Sequence, residues 1–137
     1  MKNISILRFM IPKSLVEYIT VDSTVRQAVE KMQFHKYRAI PVLDSVGKYV
    51  GTLRNDDVLS YLWREGNCNK EAAEAIPISE ILQTSYAKAL LHSASIKDLI
   101  ESVKEHNFVP IVDDRGCFIG IVLRREILDY LSLNFKE

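Results

Sequence analysis

One stretch of sequence that occurs twice decides the fold. Residues 40–62 read IPVLDSVGKYVGTLRNDDVLSYL, and residues 109–131 read VPIVDDRGCFIGIVLRREILDYL, without a gap in the match. Identical residues occupy seven of the 23 positions: Pro41/Pro110, Asp44/Asp113, Gly47/Gly116, Gly51/Gly120, Leu59/Leu128, Tyr61/Tyr130 and Leu62/Leu131. Copies of so small a unit must bury their apolar faces against each other, so the repeat predicts a paired architecture with a cleft between the copies.

The duplication extends over nearly the whole chain. Residues 18–35 match residues 89–106 at an offset of 71, whereas the later block matches at 69, so copy two has two residues fewer just before Pro110. The offset of 71 also places Met10-Ile11 on Ile81-Leu82. We therefore expect residues 1–66 to form the first repeat with an N-terminal segment, residues 67–76 a linker, and residues 77–137 the second repeat.

Each copy has the pattern of a strand, a helix, two strands and a second helix. Thr24 and Gln27 have the spacing of a capping box at the first helix of copy one, and Ser95 and Asp98 have it in copy two. Pro41 gives the middle strand of copy one an open side, because proline has no N–H to donate. The predicted strands are 19–21, 39–43, 49–53, 108–112 and 118–123, and the predicted helices begin at Thr24 and Ser95 or span 56–63, 71–75 and 125–133. The sequence thus predicts an α/β (α+β) fold of two tandem β-α-β-β-α repeats.

Composition and charge fit a compact soluble unit and exclude several classes of partner. The 137 residues are 47% hydrophobic, and 18 basic residues balance 18 acidic residues. General affinity for nucleic acid or an anionic membrane would need a basic excess, so we expect neither partner. No apolar run approaches the ~20 residues of a membrane span, and Arg8 and Pro12 come too early for a signal peptide. Cys68 and Cys117 give no disulfide framework and suit a reducing cytosol, so we expect a cytoplasmic protein.

The sequence has no motif of catalysis or of metal binding. It has no Gly-x-Ser-x-Gly elbow, no Walker-type phosphate loop and no zinc-spaced set of Cys and His. His35 and His106 recur at the same repeat position, but near helix ends, where the helix dipole favours a histidine. We therefore expect no enzymatic activity, no catalytic residue, no metal and no cofactor apart from a regulatory ligand.

The order of the motifs resembles a CBS domain. The resemblance is carried by Ile-Pro-Val-Leu-Asp at 40–44, the turn glycine Gly47, Tyr-Val-Gly at 49–51 and an acidic residue that opens the last helix. Two copies in register are similar to a Bateman module over about residues 10–133, and we expect this module to stand alone. The resemblance implies a pseudo-two-fold pair of repeats with a cleft for an adenosine nucleotide at each end. It also implies a homodimer that acts as an energy or second-messenger sensor.

The family's ligand motif has the form Gly-h-h-Thr/Ser-x-x-Asp, in which h is apolar. The motif maps onto residues 51–57 in copy one and onto residues 120–126 in copy two. In the family the acid accepts hydrogen bonds from ribose hydroxyls, and this chain keeps an acid as Asp57 and Glu126. In the family the hydroxyl residue approaches phosphate, and this chain has Arg54 and Leu123 in its place.

The chemistry of these positions can also be argued without the family. A carboxylate at a helix start can accept two ribose hydroxyls while the turn amides face an anion, and an arginine can hold a phosphate through two bonds. Each residue has a plainer interpretation too, since acids stabilise any helix start, surface arginines are usually solvated and aromatic residues usually pack. The candidates are Asp57 and Glu126 for ribose, and Arg54, Arg124 and Arg125 for phosphate. The family's adenine site implies Tyr18, Ile19, Tyr37, Arg38, Ala39, Ile40, Pro41, Ala89, Leu90, Asn107, Phe108, Val109 and Pro110 around the base, with Tyr37 or Phe108 stacked on it.

The leading functional hypothesis is a regulatory module that binds AMP, ADP, ATP or cyclic di-AMP in the cleft between its repeats. Binding would change the shape of the pair or its dimer, and an unknown protein partner would detect that change. The alternative is a CBS-fold interaction scaffold that has lost the ligand, as Arg54 and Leu123 suggest. Nucleic-acid binding is a weaker third alternative, given the balanced charge. Which cleft is occupied stays open, since copy one keeps the aspartate and copy two has the arginine pair.

Overall fold

Each repeat has the predicted order of a strand, a helix, two strands and a second helix in a computed structural model that describes residues 4–66, 70–82 and 88–135. The strands are β1 (Met10–Pro12), β2 (Ile19–Thr20), β3 (Ala39–Leu43), β4 (Tyr49–Arg54), β5 (Leu90–Leu91), β6 (Phe108–Val112) and β7 (Phe118–Leu123). The helices are α1 (Val25–His35), α2 (Asn55–Glu65), α3 (Lys70–Ala75), α4 (Ile96–Val103) and α5 (Arg124–Leu133). Short 3₁₀ helices occur at Ile6–Phe9, Lys13–Leu15 and Ile78–Glu80. The tandem β-α-β-β-α fold is confirmed, whereas Cys68 and the start of the predicted linker lie outside the described residues.

The first repeat forms a three-stranded sheet in the order β2-β3-β4. β2 runs parallel to β3 with Ile19 opposite Val42, and β3 runs antiparallel to β4 with Ala39 opposite Arg54. β2 pairs with Val42 and Leu43, so among the described residues β3 has an open side at Pro41, as the sequence predicts. The buried core of this repeat consists of Ile19, Val25, Ala28, Met32, Ile40, Val42, Leu53, Val58, Ile78 and Ile81.

The second repeat forms a four-stranded sheet in the order β1-β7-β6-β5. Three of its strands follow the pattern of the first repeat, with Leu90 opposite Ile111 in a parallel pair. The fourth strand, β1, comes from the N-terminal segment and runs antiparallel to β7, with Met10 opposite Val122. The buried core of this repeat consists of Ile6, Ile96, Leu99, Val103, Val109, Ile111, Val122 and Ile127.

The two spatial units divide the chain differently from the two sequence repeats. One unit contains residues 4–16 with residues 88–135, and the other contains residues 17–66 with residues 70–82. Sequence order predicts that the N-terminal segment folds with the first repeat. The structure instead places the segment on the second repeat, because β1 completes that sheet and the Ile6 side chain is fully buried in that core. In the same way, Ile78 lies within the range predicted for the second repeat, residues 77–137, but is buried in the core of the first.

Close packing of β1 on β7 explains one of the repeated glycines. Gly120 is paired with Pro12 across the two strands. A Cβ at Gly120 would lie 2.7 Å from Met10 Cγ, and closer still to the carbonyl oxygen of Ile11. Only glycine leaves room for β1 at this distance, so Gly120 serves the sheet.

Both repeats use an aspartate to close the turn between their last two strands. Asp113 Oδ1 accepts the backbone N–H groups of Arg115 and Cys117, each at 2.9 Å, and Asp44 accepts the equivalent pair in the first repeat. The hydrogen bond from Cys117, followed by that from Arg115, holds the pKa of Asp113 below its ordinary value. Gly116 completes the turn with a φ of 83°, in the left-handed region where a side chain would be strained.

The predicted capping boxes are present at both first helices. Thr24 Oγ1 accepts the N–H of Gln27 at 3.2 Å, while Gln27 Oε1 accepts the N–H of Thr24 at 2.9 Å. Ser95 and Asp98 make the same reciprocal bonds at 3.1 and 3.3 Å. The starts of α1 and α4 are therefore fixed by local sequence.

Candidate functional site

In the first repeat, the turn from β4 into α2 lies against the start of β3. The backbone N–H of Asn55 donates to the carbonyl oxygen of Arg38 at 2.9 Å, and Ala39 is paired with Arg54. The side chain of Asn55 also donates to the carbonyl oxygen of Tyr37 at 3.5 Å. The residues predicted to hold ribose and phosphate are thus next to residues predicted to surround the base.

The second repeat has the same arrangement where β7 leads into α5. The backbone N–H of Arg124 donates to the carbonyl oxygen of Asn107 at 2.8 Å, and Phe108 is paired with Leu123. The equivalence of the two turns is therefore present in the hydrogen bonds as well as in the sequence.

Asp57 is bound by Arg54 through three hydrogen bonds. Asp57 Oδ2 accepts the backbone N–H of Arg54 at 2.9 Å and its Nε at 3.4 Å, and Asp57 Oδ1 accepts Nη2 at 2.8 Å. The Asp57 side chain is 4% exposed and the Arg54 side chain 32%. Because a buried carboxylate must be paired, these residues act as one unit. The sequence analysis gave them separate roles, although an arginine and an aspartate three positions apart at a helix start are neighbours.

The acid of the second repeat has different surroundings. Glu126 is exposed, and no hydrogen bond or ion pair engages its carboxylate among the described residues. Leu123, which corresponds to Arg54, has no side-chain donor. The two repeats therefore differ in their acids: one is buried and paired with an arginine, and the other is exposed.

The two arginines predicted to bind phosphate in the second repeat also differ from each other. Arg124 Nε donates to the carbonyl oxygen of Val103 at 2.8 Å, so its side chain is tied to the end of α4. Arg125 is exposed. Of the two arginines, Arg124 is the one that makes this hydrogen bond to α4.

The residues predicted around the base fall into three groups by burial. The buried group consists of Ile19, Ile40, Pro41, Val109 and Pro110, whose side chains offer a ligand little surface. Tyr18, Ala39, Ala89, Leu90 and Phe108 are half-buried, and Tyr37, Arg38 and Asn107 are exposed. Side-chain selectivity for a base is therefore restricted to the second and third groups.

Tyr37 stacks on a histidine of its own repeat. The rings of His35 and Tyr37 have centroids 5.2 Å apart and an interplanar angle of 22°. His35 Nε2 in turn lies 3.2 Å from Glu17 Oε1, and Lys31 Nζ lies 3.4 Å from the same oxygen. The sequence analysis missed this role of His35, because Glu17 is remote in sequence.

Two classes of feature are missing from the part of the chain that the structure describes. No helix there has the length and apolar character that crossing a bilayer requires. Nor do residues 4–66, 70–82 and 88–135 contain a group of three His, Cys, Asp or Glu side chains that could hold a metal ion.

The sequence has recognisable relatives. A family model described as CBS domain matches residues 8–64 and again residues 78–133. Cyclic di-AMP receptor B of Bacillus subtilis (strain 168) is 23% identical over 130 residues, which cover 95% of this chain and 88% of that protein.

Solved structures share the fold. The CbpB protein of Listeria monocytogenes in complex with c-di-AMP has a TM-score of 0.83 and 22% identity, over 93% of this chain and 95% of that chain. CBSX2 in complex with AMP has a TM-score of 0.77 and 19% identity, over 96% of this chain and 98% of that chain. At such identities the likeness shows the architecture.

Proposed function

Because the chain belongs to the CBS-domain family, we propose that it is a regulatory module that binds an adenine nucleotide and transmits that state to a protein partner. The observation that carries the proposal is the acid in the same strand-to-helix turn of both repeats, Asp57 and Glu126. Each turn lies against the start of the strand that contains the proline, where the family holds its base. A ligand that prefers one conformation then shifts the population by its differential affinity.

The first candidate ligand is cyclic di-AMP, and AMP is the second. Relatives are described as a cyclic di-AMP receptor and as complexes with c-di-AMP or AMP. Arginines at both turns support a ligand with more than one phosphate, because a guanidinium binds phosphate through paired hydrogen bonds.

Thermal unfolding of ligand-free protein against AMP, ADP, ATP and cyclic di-AMP tests this proposal. A ligand at 100 times its dissociation constant should stabilise the protein by about 2.7 kcal/mol. Combining Asp57→Asn with Glu126→Gln should remove the stabilisation, whereas Asp129→Asn, an exposed acid in α5 outside the turns, should keep it. A flat response to all four nucleotides, confirmed by calorimetry, would refute nucleotide binding.

We propose a homodimer for the same module, formed through the outer faces of α2 and α5. Leu59 and Trp63 lie one turn apart on α2 and are 65% and 85% exposed. Leu128, the equivalent of Leu59, is 54% exposed on α5. An apolar surface at the same position in both repeats supports a self-complementary contact with a second copy. Light scattering should give a dimer for the natural chain and a monomer for Trp63→Glu, and a monomer for both would refute the interface.

A scaffold without a ligand is the second candidate, and the Arg54–Asp57 pair favours it. The carboxylate proposed for ribose already has a partner from its own chain. The scaffold predicts a dimer that is insensitive to every nucleotide and carries no adenine absorbance through purification. A co-purified adenine nucleotide would refute it.

The module is further proposed to be cytoplasmic and to leave its ligand chemically unchanged. The 18 basic residues are balanced by 18 acidic residues, so the charge gives the protein no general attraction to an anionic surface. Chromatography of each nucleotide after prolonged incubation with the protein should recover it intact. If any nucleotide is converted at a rate that increases with protein concentration, the proposal that the ligand stays chemically unchanged is wrong.

A further inference from the structure

We infer that Arg54 makes the first repeat selective for phosphorylated ligands, because it occupies the Asp57 carboxylate until a phosphate draws its guanidinium away. The inference rests on the proposed nucleotide binding. It goes further by naming the chemistry that this repeat accepts, a nucleotide in preference to the free nucleoside. Arg54 is then the residue that determines specificity at this turn.

The first reason for this inference is the number of hydrogen bonds that Asp57 can accept. A carboxylate has about four acceptor positions on its two oxygens. Three of those positions on Asp57 accept donors of Arg54: its backbone N–H, Nε and Nη2. Two adjacent ribose hydroxyls need two acceptors, so a ribose can bind Asp57 fully only after the Arg54 side chain has left.

The second reason is that the Asp57 side chain is buried whereas the Arg54 side chain reaches the surface. The Asp57 side chain is 4% exposed, so it gains little from water when Arg54 leaves. The Arg54 side chain is 32% exposed and lies at the surface, where an incoming anion can reach it. Release of Arg54 into water alone costs a charge-assisted bond, whereas transfer to a phosphate replaces that bond with another. A nucleotide supplies the replacement and a nucleoside does not.

The second repeat provides an internal contrast. Leu123 stands where Arg54 stands in the first repeat, and the Glu126 carboxylate is exposed. Among the described residues no arginine is hydrogen-bonded to Glu126, so a ribose would not have to displace one. A preference for phosphate that depends on releasing the acid from an arginine is thus expected in the first repeat and not in the second.

The test compares binding of AMP and of adenosine, by calorimetry, in protein that carries Glu126→Gln so that the first repeat is measured. Arg54→Ala should lower the ratio of AMP affinity to adenosine affinity by about tenfold or more, which is the value of one charge-assisted hydrogen bond. Part of the change should be tighter binding of adenosine, because the carboxylate becomes available. A ratio that stays within about twofold of the parent would overturn the inference.

A second variant guards against loss of folding, since Arg54→Ala leaves a buried carboxylate without its cation. Arg54→Asn places a preferred N-cap residue before α2, so it supports the helix start, and it has no charge to offer a phosphate. The same fall in the ratio is expected for this variant. Arg26→Asn is the matched control, because Arg26 lies in α1 and pairs with Glu30 and Glu74, and its ratio should not change.

The outcomes separate the two proposals. If neither AMP nor any other adenine nucleotide binds the parent protein, the proposed function fails and the inference fails with it. If AMP binds the parent protein and the ratio is the same in both Arg54 variants, nucleotide binding stands and the role of Arg54 is refuted.

Discussion

Arg124 Nε lies 2.8 Å from the carbonyl oxygen of Val103, the last residue of α4. The final carbonyl groups of a helix have no donor within the helix, and the helix dipole favours a cation at that end. Arg124 supplies both the donor and the charge, from the first residue of α5. The two helices of the second repeat are thereby joined at their ends.

Arg124→Ala should therefore destabilise the protein by about 1–3 kcal/mol, because it leaves a half-buried carbonyl without its charged donor. Urea unfolding measures the change. Arg125→Ala removes an exposed arginine at the next position, so it should stay within about 0.5 kcal/mol of the natural protein. Equal losses for the two variants would contradict the capping role of Arg124.

Gly120→Ala should destabilise the protein by about 1–3 kcal/mol, because the new methyl group cannot fit beside the carbonyl oxygen of Ile11. β1 would have to move away from β7. Gly66→Asn is a suitable control, since Gly66 has a φ of 64° in open space and asparagine tolerates that conformation. A stable Gly120→Ala variant with unchanged protection of the β1 amides would contradict this packing.

Ile6→Ala should cost about 2–5 kcal/mol, as expected for removal of a fully buried side chain. Its effect should be local to one unit, because Ile6 is buried with Leu99 and Ile127 of the second repeat. Hydrogen exchange read by mass spectrometry should show faster exchange in α4 and α5 than in the natural protein. Faster exchange confined to α1 would instead assign the N-terminal segment to the first repeat.

Asp113 should make the free energy of unfolding depend on pH. The backbone N–H groups of Cys117 and Arg115 donate hydrogen bonds to Asp113 and lower its folded pKa. Its contribution to stability is therefore fully present above its ordinary pKa of 3.8. That contribution is lost as the pH falls through the lower folded pKa. The gap in unfolding free energy between the natural protein and Asp113→Asn should be constant near neutral pH and shrink below about pH 4. If the difference in unfolding free energy between the two proteins is unchanged down to pH 2, this role of Asp113 is refuted.

The repeated elements could be predicted from sequence because their signals are local. The strands at 39–43, 108–112 and 118–123 agree with β3, β6 and β7, and the helix caps at Thr24 and Ser95 are present. β1 was not predicted, because three residues carry no periodicity. Its strand character comes from pairing with β7, which is remote in sequence.

The candidate ligand-binding site stays a prediction, although the structure shows the local surroundings of its residues. Within each repeat, the strand-to-helix turn lies against the start of the neighbouring strand, β3 in the first repeat and β6 in the second. Sequence reasoning treated Arg54 and Asp57 as two ligand-binding groups, whereas the structure joins them in a buried pair. Nor could it foresee that Asp57 is buried while Glu126 is exposed, since burial depends on the packing of each helix.

The pairing of Met10 with Val122 joins two parts of the polypeptide that the ribosome makes far apart in time. Residues 17–82 can complete their own core while the ribosome is still translating the remainder. Residues 4–16 are made before residues 17–82, but β1 can pair only after β7 has been synthesised. Such a distant contact forms late and slowly. A fragment of residues 88–135 should therefore need residues 4–16, added as a separate peptide, to complete its sheet.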